Sequence, residues 1–224
     1  MSRDEPVRFA SIQLTSGCEI TSPYDRLRRF CVAEYDYYDA IPSVDPNRID
    51  PVDVLATVSV NSFINTAARV ASVHRGMAEA CDPILATIPE DADLLTFDPS
   101  LSRLEELLHA AVQTKGVLVA VATKVLHRKR RFLIPMLDSV VVWHYLAPPE
   151  FAALRPKTQD KRTAGHVAAT VLDRFREDLR DAIGPIQQMR ETLAAEGFDL
   201  SPVRILEILV WTEVEERGYY RAAS

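Results

Sequence analysis

An oxygen-bearing side chain recurs directly before a proline in this chain, as in Ser22-Pro23, Asp50-Pro51, Asp98-Pro99 and Ser201-Pro202. An oxygen at the N-cap accepts an orphan backbone N–H, and a proline at the first helical position lacks an N–H that would have had no partner anyway. The pattern predicts helices starting near 23, 51, 99 and 202. Asp53 adds negative charge to the first turn of the second, where the helix dipole favours it. Between these starts, apolar residues recur at three and four, as in Leu101, Leu104, Leu107, Leu108 and in Val167, Val171, Leu172, Phe175, Leu179. Gly184-Pro185 predicts a break before a further helix over about 185–196, closed by Gly197. The nearly continuous apolar run from Val203 to Trp211 predicts a buried helix ending near Gly218. Only Val7 to Leu14 alternates like a strand. With 7 glycines in 224 residues and hardly any hairpin dipeptides, all-β and α/β architectures are poor fits. The expected fold is all-α, a compact multi-helix bundle of about eight to ten helices. Residues 1–20 are expected to form a mobile N-terminal segment and residues 21–224 a single all-helical domain, with Arg155 to Arg162 as a second mobile stretch.

A chain that is 47% hydrophobic and 26% charged can bury one substantial core. Its formal net charge of -6 argues against general adhesion to nucleic acid or anionic membrane, leaving any basic patch to be judged locally. No run approaches the roughly 18 apolar residues of a membrane span, and the expectation is a cytoplasmic protein without membrane contact. Cys18, Cys31 and Cys81 are odd in number and far apart, so they fit neither a disulfide framework nor a zinc site and are expected reduced. Histidines 74, 109, 127, 144 and 166 have no ligand spacing, so no metal and no cofactor is expected.

The densest chemistry lies between Lys115 and Leu146. An apolar helix, expected over 116–128, ends in His127, Arg128, Lys129, Arg130 and Arg131, followed by Pro135 and then Asp138 opening a second apolar helix. Such a cluster either serves an anion outside the core or is neutralised by acids inside the protein. On a helix, Lys124, His127 and Arg128 share a face at i, i+3 and i+4. Asp138 is a good N-cap for Val140 or Val141. The same aspartate, facing a pocket rimmed by Lys124 and Arg128, can instead orient water or stabilise a developing cation. Trp143 and His144, on the helix of Asp138, are pocket or core residues. The Tyr35, Tyr37, Tyr38 cluster beside Asp36 and Asp39 would repel a phosphate backbone and suits a cationic or sugar-like molecule, a partner surface, or plain packing.

The segment TKVLHRKRRFLIPMLDSVVVWHYL resembles the part of helix-hairpin-helix DNA glycosylases in which a helix leads through a Pro-x-x-Asp element into the next. The resemblance implies that Asp138 is catalytic, stabilising the oxocarbenium ion formed when a base leaves. Together with Asn47–Phe63 and Ser201–Trp211, the segment also resembles an uncharacterised bacterial family of all-helical proteins, over most of the chain from about residue 24. The glycosylase hairpin usually reads Gly-x-Gly so that its amides approach a phosphate; this chain has Gly116 followed by Val117, Leu118 and Val119. No lyase lysine is identifiable, so the implied activity is monofunctional with water as nucleophile.

The leading expectation is a glycosylase-related protein recognising a nucleic acid or nucleoside, with Asp138 catalytic and with Lys124, His127, Arg128, Arg130 and Arg131 binding ligand or phosphate. The alternatives are a small-molecule enzyme that has lost DNA docking, and a non-catalytic interaction protein in which Asp138 is only a cap.

Overall fold

The computed structural model describes residues 9–155 and 160–217. Its eight α-helices are α1 (Pro23–Glu34), α2 (Pro51–Ala56), α3 (Ala67–Leu85), α4 (Ser102–Gln113), α5 (Val119–His127), α6 (Ser139–Leu146), α7 (Ala164–Ala195) and α8 (Pro202–Arg217). The all-α expectation holds. The strand expected over Val7 to Leu14 shrinks to β1 (Ile12–Gln13), paired antiparallel with β2 (Glu19–Ile20). In this hairpin Ile12, Leu14 and Ile20 are buried against the helices, so from residue 9 onward the segment expected to be mobile is packed. Residues 1–8, and residues 156–159 of the second stretch expected to be mobile, lie outside the described residues.

Pro23, Pro51 and Pro202 each occupy the first helical position, as the prolines predict, although Ser22 takes left-handed backbone angles and its side chain accepts no N–H of α1. At the last of these Ser201 Oγ accepts the Arg204 N–H at 3.1 Å. The start expected at 99 comes three residues later. Asp98 and Leu101 take left-handed backbone angles, so the chain turns before entering α4, and Asp98 reaches across that turn to accept the Arg103 N–H at 2.6 Å.

The break expected at Gly184-Pro185 is absent, because α7 runs through Pro185 without interruption. The reason is packing. Phe175, Leu179, Ala182, Ile186, Met189 and Leu193 form one buried stripe at helical spacing on both sides of the proline. Burying that stripe outweighs the one hydrogen bond a proline removes. The helix ends at Gly197, with φ 96°, while Phe198 N–H closes on Leu193 C=O at 2.9 Å.

At the centre lies α8, packed against α1, α6, α7 and β2. Every residue from Pro202 to Val210 is buried, including Arg204 and Glu207. Around it, α7 packs along α4 and α4 along α3. The approach of α7 to α4 is close at Gly165, where a Cβ would stand 2.9 Å from the His109 Cβ. This frame leaves the loop between α5 and α6, which carries the basic cluster, wedged between the loop after α1 and the entry to α8.

Candidate functional site

The basic cluster turns inward. Asp53, fully buried in the first turn of α2, receives Arg128 Nε at 3.0 Å and Lys129 Nζ at 2.5 Å. Arg128 also donates to Pro42 C=O at 3.0 Å, and Lys129 to Ser43 Oγ at 2.9 Å and Asp45 C=O at 2.8 Å. Arg130 is 0% exposed and bonds no carboxylate. Its guanidinium instead donates to the carbonyls of Leu85, Ile88 and Pro46 and to Asn47 Oδ1, which satisfies the C-terminal carbonyls of α3 with a cation where the helix dipole is negative. Arg131 is more exposed and pairs with Asp199 at 3.1 Å. Lys124 reaches back to the carbonyl of Val60, and burial holds its ammonium below the ordinary lysine range. The side chains expected to project from a helix end toward phosphate are therefore held by the protein's own acids and carbonyls, as carboxylates and carbonyls 40 to 90 residues away in sequence fold against them.

His127 lies beneath this loop, 4% exposed. Its Nδ1–H donates to Ile134 C=O at 2.6 Å, which leaves Nε2 as the ring's lone-pair nitrogen. Burial, reinforced by Arg204, pushes its pKa down to about 4, so the ring is neutral at physiological pH. Tyr38 stacks against it and donates to the Lys124 carbonyl at 2.5 Å.

Two cavities flank this region. A cleft of about 720 Å³ has His127, Arg128, Lys129 and Arg131 on one wall and Tyr35, Tyr38 and Asp39 on another. The basic cluster and the tyrosine-aspartate cluster, unrelated in sequence, thus face one another. The second, a pocket of about 190 Å³, holds Asp138 and Trp143 among the apolar side chains of Leu118, Leu137, Val142, Val167 and Val171. Neither Lys124 nor Arg128 lines it, so the expected rim of cations around Asp138 is absent: Lys124 and Arg128 face α2 and the loops before and after it.

Asp138 is the N-cap of α6, with Oδ1 accepting the Val141 N–H at 3.0 Å. Among the described residues no side chain bonds its carboxylate. Burial raises its pKa, opposed by the Val141 and Val140 amides and by Lys124. A desolvated carboxylate on an apolar wall is the arrangement expected of a reacting or cation-binding group. At the pocket mouth Arg155 lies over the Trp143 ring at 5.7 Å. His144 is turned away from this pocket, its Nε2 3.1 Å from Ser16 Oγ, where it fastens the hairpin to α6.

On the wall of the cleft lies a buried ionic group that sequence reasoning missed. Arg204 forms two parallel bonds to Asp39, at 2.9 and 3.0 Å, and a third to Glu207. The available signal was two opposite charges at i, i+3 inside the otherwise apolar α8; the partner Asp39 lies 165 positions away. Burial lifts the Glu207 carboxyl to about 7, against the pull of Arg204. A raised carboxyl keeps its proton in the folded state while the unfolded chain has lost it, so the stability that this group contributes falls as pH rises from about 4.5 to about 7. Glu207→Gln is accordingly expected to gain on the wild type across that window, by about 1–3 kcal/mol, measured by denaturant unfolding at pH 5 and pH 8. A constant difference between the two proteins would refute the assignment.

Among the described residues, no three His, Cys, Asp or Glu side chains come together as a metal-ligand group, and no helix is long and apolar enough to cross a membrane. Compared with known proteins, residues 20–214 match the model of a family of unknown function (DUF6308). No curated protein and no solved structure matches the chain.

Proposed function

Since the chain belongs to this family of unknown function, its chemistry has to be read from its own residues, and we propose that it hydrolyses the N-glycosidic bond of a nucleoside-like small molecule at Asp138. The observation that carries the reading is the Asp138 carboxylate itself: anchored by the amides of α6, bonded by no side chain, and set in the wall of an apolar pocket beside Trp143. The pocket is lined by the start of α6, inside the segment that resembles helix-hairpin-helix glycosylases, and by Leu118, Val119 and Ala120, which precede that segment.

In the reaction, the bond between the sugar's anomeric carbon and the base nitrogen breaks, and its electron pair leaves with the base, which takes up a proton from solvent, the equal of the one that Asp138 later returns to it. Positive charge develops on the sugar ring, and Asp138, fixed and poorly solvated, stabilises it. Water then adds to the anomeric carbon and gives up a proton, which the carboxylate, its basicity raised by burial, is suited to accept. The Trp143 ring offers the departing base an apolar face. A free nucleoside fits better than a polymer. Duplex docking draws on unpaired Lys and Arg, and the basic segment has given its cations to Asp53, Asp199 and backbone carbonyls.

Release of free base from a panel of purine and pyrimidine nucleosides, followed chromatographically, tests the reading. Asp138→Asn keeps an oxygen for the Val141 amide, so its loss of stability should be well below the ~1 kcal/mol expected of Asp138→Ala, yet both variants should lose base release alike. Activity surviving in Asp138→Asn would rule out the catalytic role. Equal thermal stability of the two variants would count against the cap.

A further inference from the structure

The large cleft has a charge balance opposite to the one its basic residues imply. Arg128 and Lys129 are offset by Asp53, with Asp50 a further 3.8 Å from Lys129. Arg131 is offset by Asp199, and Arg204 by both Asp39 and Glu207. Arg130, behind the wall, feels Glu90 at longer range. Four cations and four carboxylates line the cleft; because Asp53, behind the wall, takes up Arg128 and Lys129, Glu90 and Asp91 are the wall charges left without a cation among the described residues. An anion entering the cleft would have to break one of these pairs to find a cation: at Arg128, Lys129 or Arg204 that leaves a buried carboxylate uncompensated, and at the more exposed Arg131 it meets the Asp199 carboxylate. At the exposed rim, Glu90 and Asp91 neither accept a hydrogen bond nor form an ion pair among the described residues.

A second feature is independent of that surplus. His127 is more than nine-tenths buried and lines the cleft, and Nε2 has no partner among the described residues while Nδ1–H is spent on Ile134. Nε2 itself is reached from the cleft rather than sealed in the core, so its lone pair is the one a donor entering the cleft would meet. The volume of about 720 Å³ lies within the range of small-molecule sites. The remaining polar groups on the wall are held by one another, so the cleft is already organised without a ligand.

We infer that the cleft is a binding site for a small organic cation bearing N–H donors, an amine or guanidinium compound, with its charge toward Glu90 and Asp91 and an N–H directed to His127 Nε2. The site is separate from the Asp138 pocket and does not depend on its activity. The depressed basicity of His127 agrees with this role, since a protonated ring would have no lone pair to offer.

Calorimetric titration of the full chain with agmatine and with spermidine, and with inorganic phosphate as the anion control, tests the assignment. At least one cation should bind, and phosphate should not. The paired change Glu90→Gln with Asp91→Asn lies at exposed positions and should leave the fold intact, yet should weaken cation binding about tenfold. His127→Gln, followed by circular dichroism to check folding, should weaken it as well. No binding of either cation at about 10 mM, weaker than the millimolar range, would overturn the inference. So would affinity unchanged by the Glu90 and Asp91 pair, or preferential binding of phosphate.

Discussion

Alanine at Asp53 is expected to cost the protein about 3–5 kcal/mol, the range for removing one partner from a buried ion pair. The carboxylate is fully buried and holds two cations, Arg128 Nε at 3.0 Å and Lys129 Nζ at 2.5 Å. Its Oδ2 also accepts the Asp50 N–H at 2.8 Å, completing the first turn of α2. Removing it leaves two positively charged side chains that are 3% and 0% exposed, and the remaining acceptors, the carbonyls of Pro42 and Asp45 among them, cannot neutralise both. With a domain of this size stable by only about 5–15 kcal/mol, the alanine protein should be recovered in poor yield and unfold early in urea. Asp53→Asn, which keeps the bond to Asp50 but not the charge, should fall between alanine and wild type. A loss below about 1 kcal/mol in either variant would show that solvent reaches the pair and screens it.

Leu206→Ala is expected to cost about 2–5 kcal/mol, through lost apolar transfer and the cavity left behind. Leu206 is 0% exposed in the middle of α8, and α8 touches α1, α6 and α7, so no single neighbour can move to fill the space without disturbing another contact. Urea unfolding of the variant measures the cost. A loss below about 1 kcal/mol would place α8 at the periphery and contradict its central position. The charged pair on the same helix sharpens the comparison. Arg204 and Glu207 occupy the sector of α8 that faces Asp39 and the cleft, while Leu206 and Leu209 face apolar neighbours, so the helix is both core and cavity wall.

The helix starts at Pro23, Pro51 and Pro202 were legible because a proline at the first helical position, joined at Pro202 by the Ser201 cap, acts within one turn, on neighbours that the sequence shows directly. Pro185 misled for the complementary reason: its local preference was overruled by a stripe of six apolar contacts that only the assembled bundle supplies. The basic cluster shows the same limit in the site. Its composition was plain, and inward neutralisation was one of two readings open from the sequence, but Asp53 lies 75 residues from Arg128 and nothing local pairs them. Asp138 was recognisable as a cap because its partner is three residues away. That its carboxylate lies among the side chains of Leu118, Val167 and Val171, from α7 and the turn before α5, was not, since no spacing rule connects those elements.

The position of α8 also bears on how the protein is made. Residues 202–217 supply the centre of the core, yet they follow every other helix in the order of synthesis. Until residue 217 is available, the faces of α1, α6 and α7 that pack on α8 stay open, and the Arg204 side chain is not there to neutralise Asp39. The helices made before it can pair with one another, α7 along α4 and α4 along α3, but the core closes only when α8 arrives, and until then the chain carries open apolar surface of the kind that chaperones hold apart.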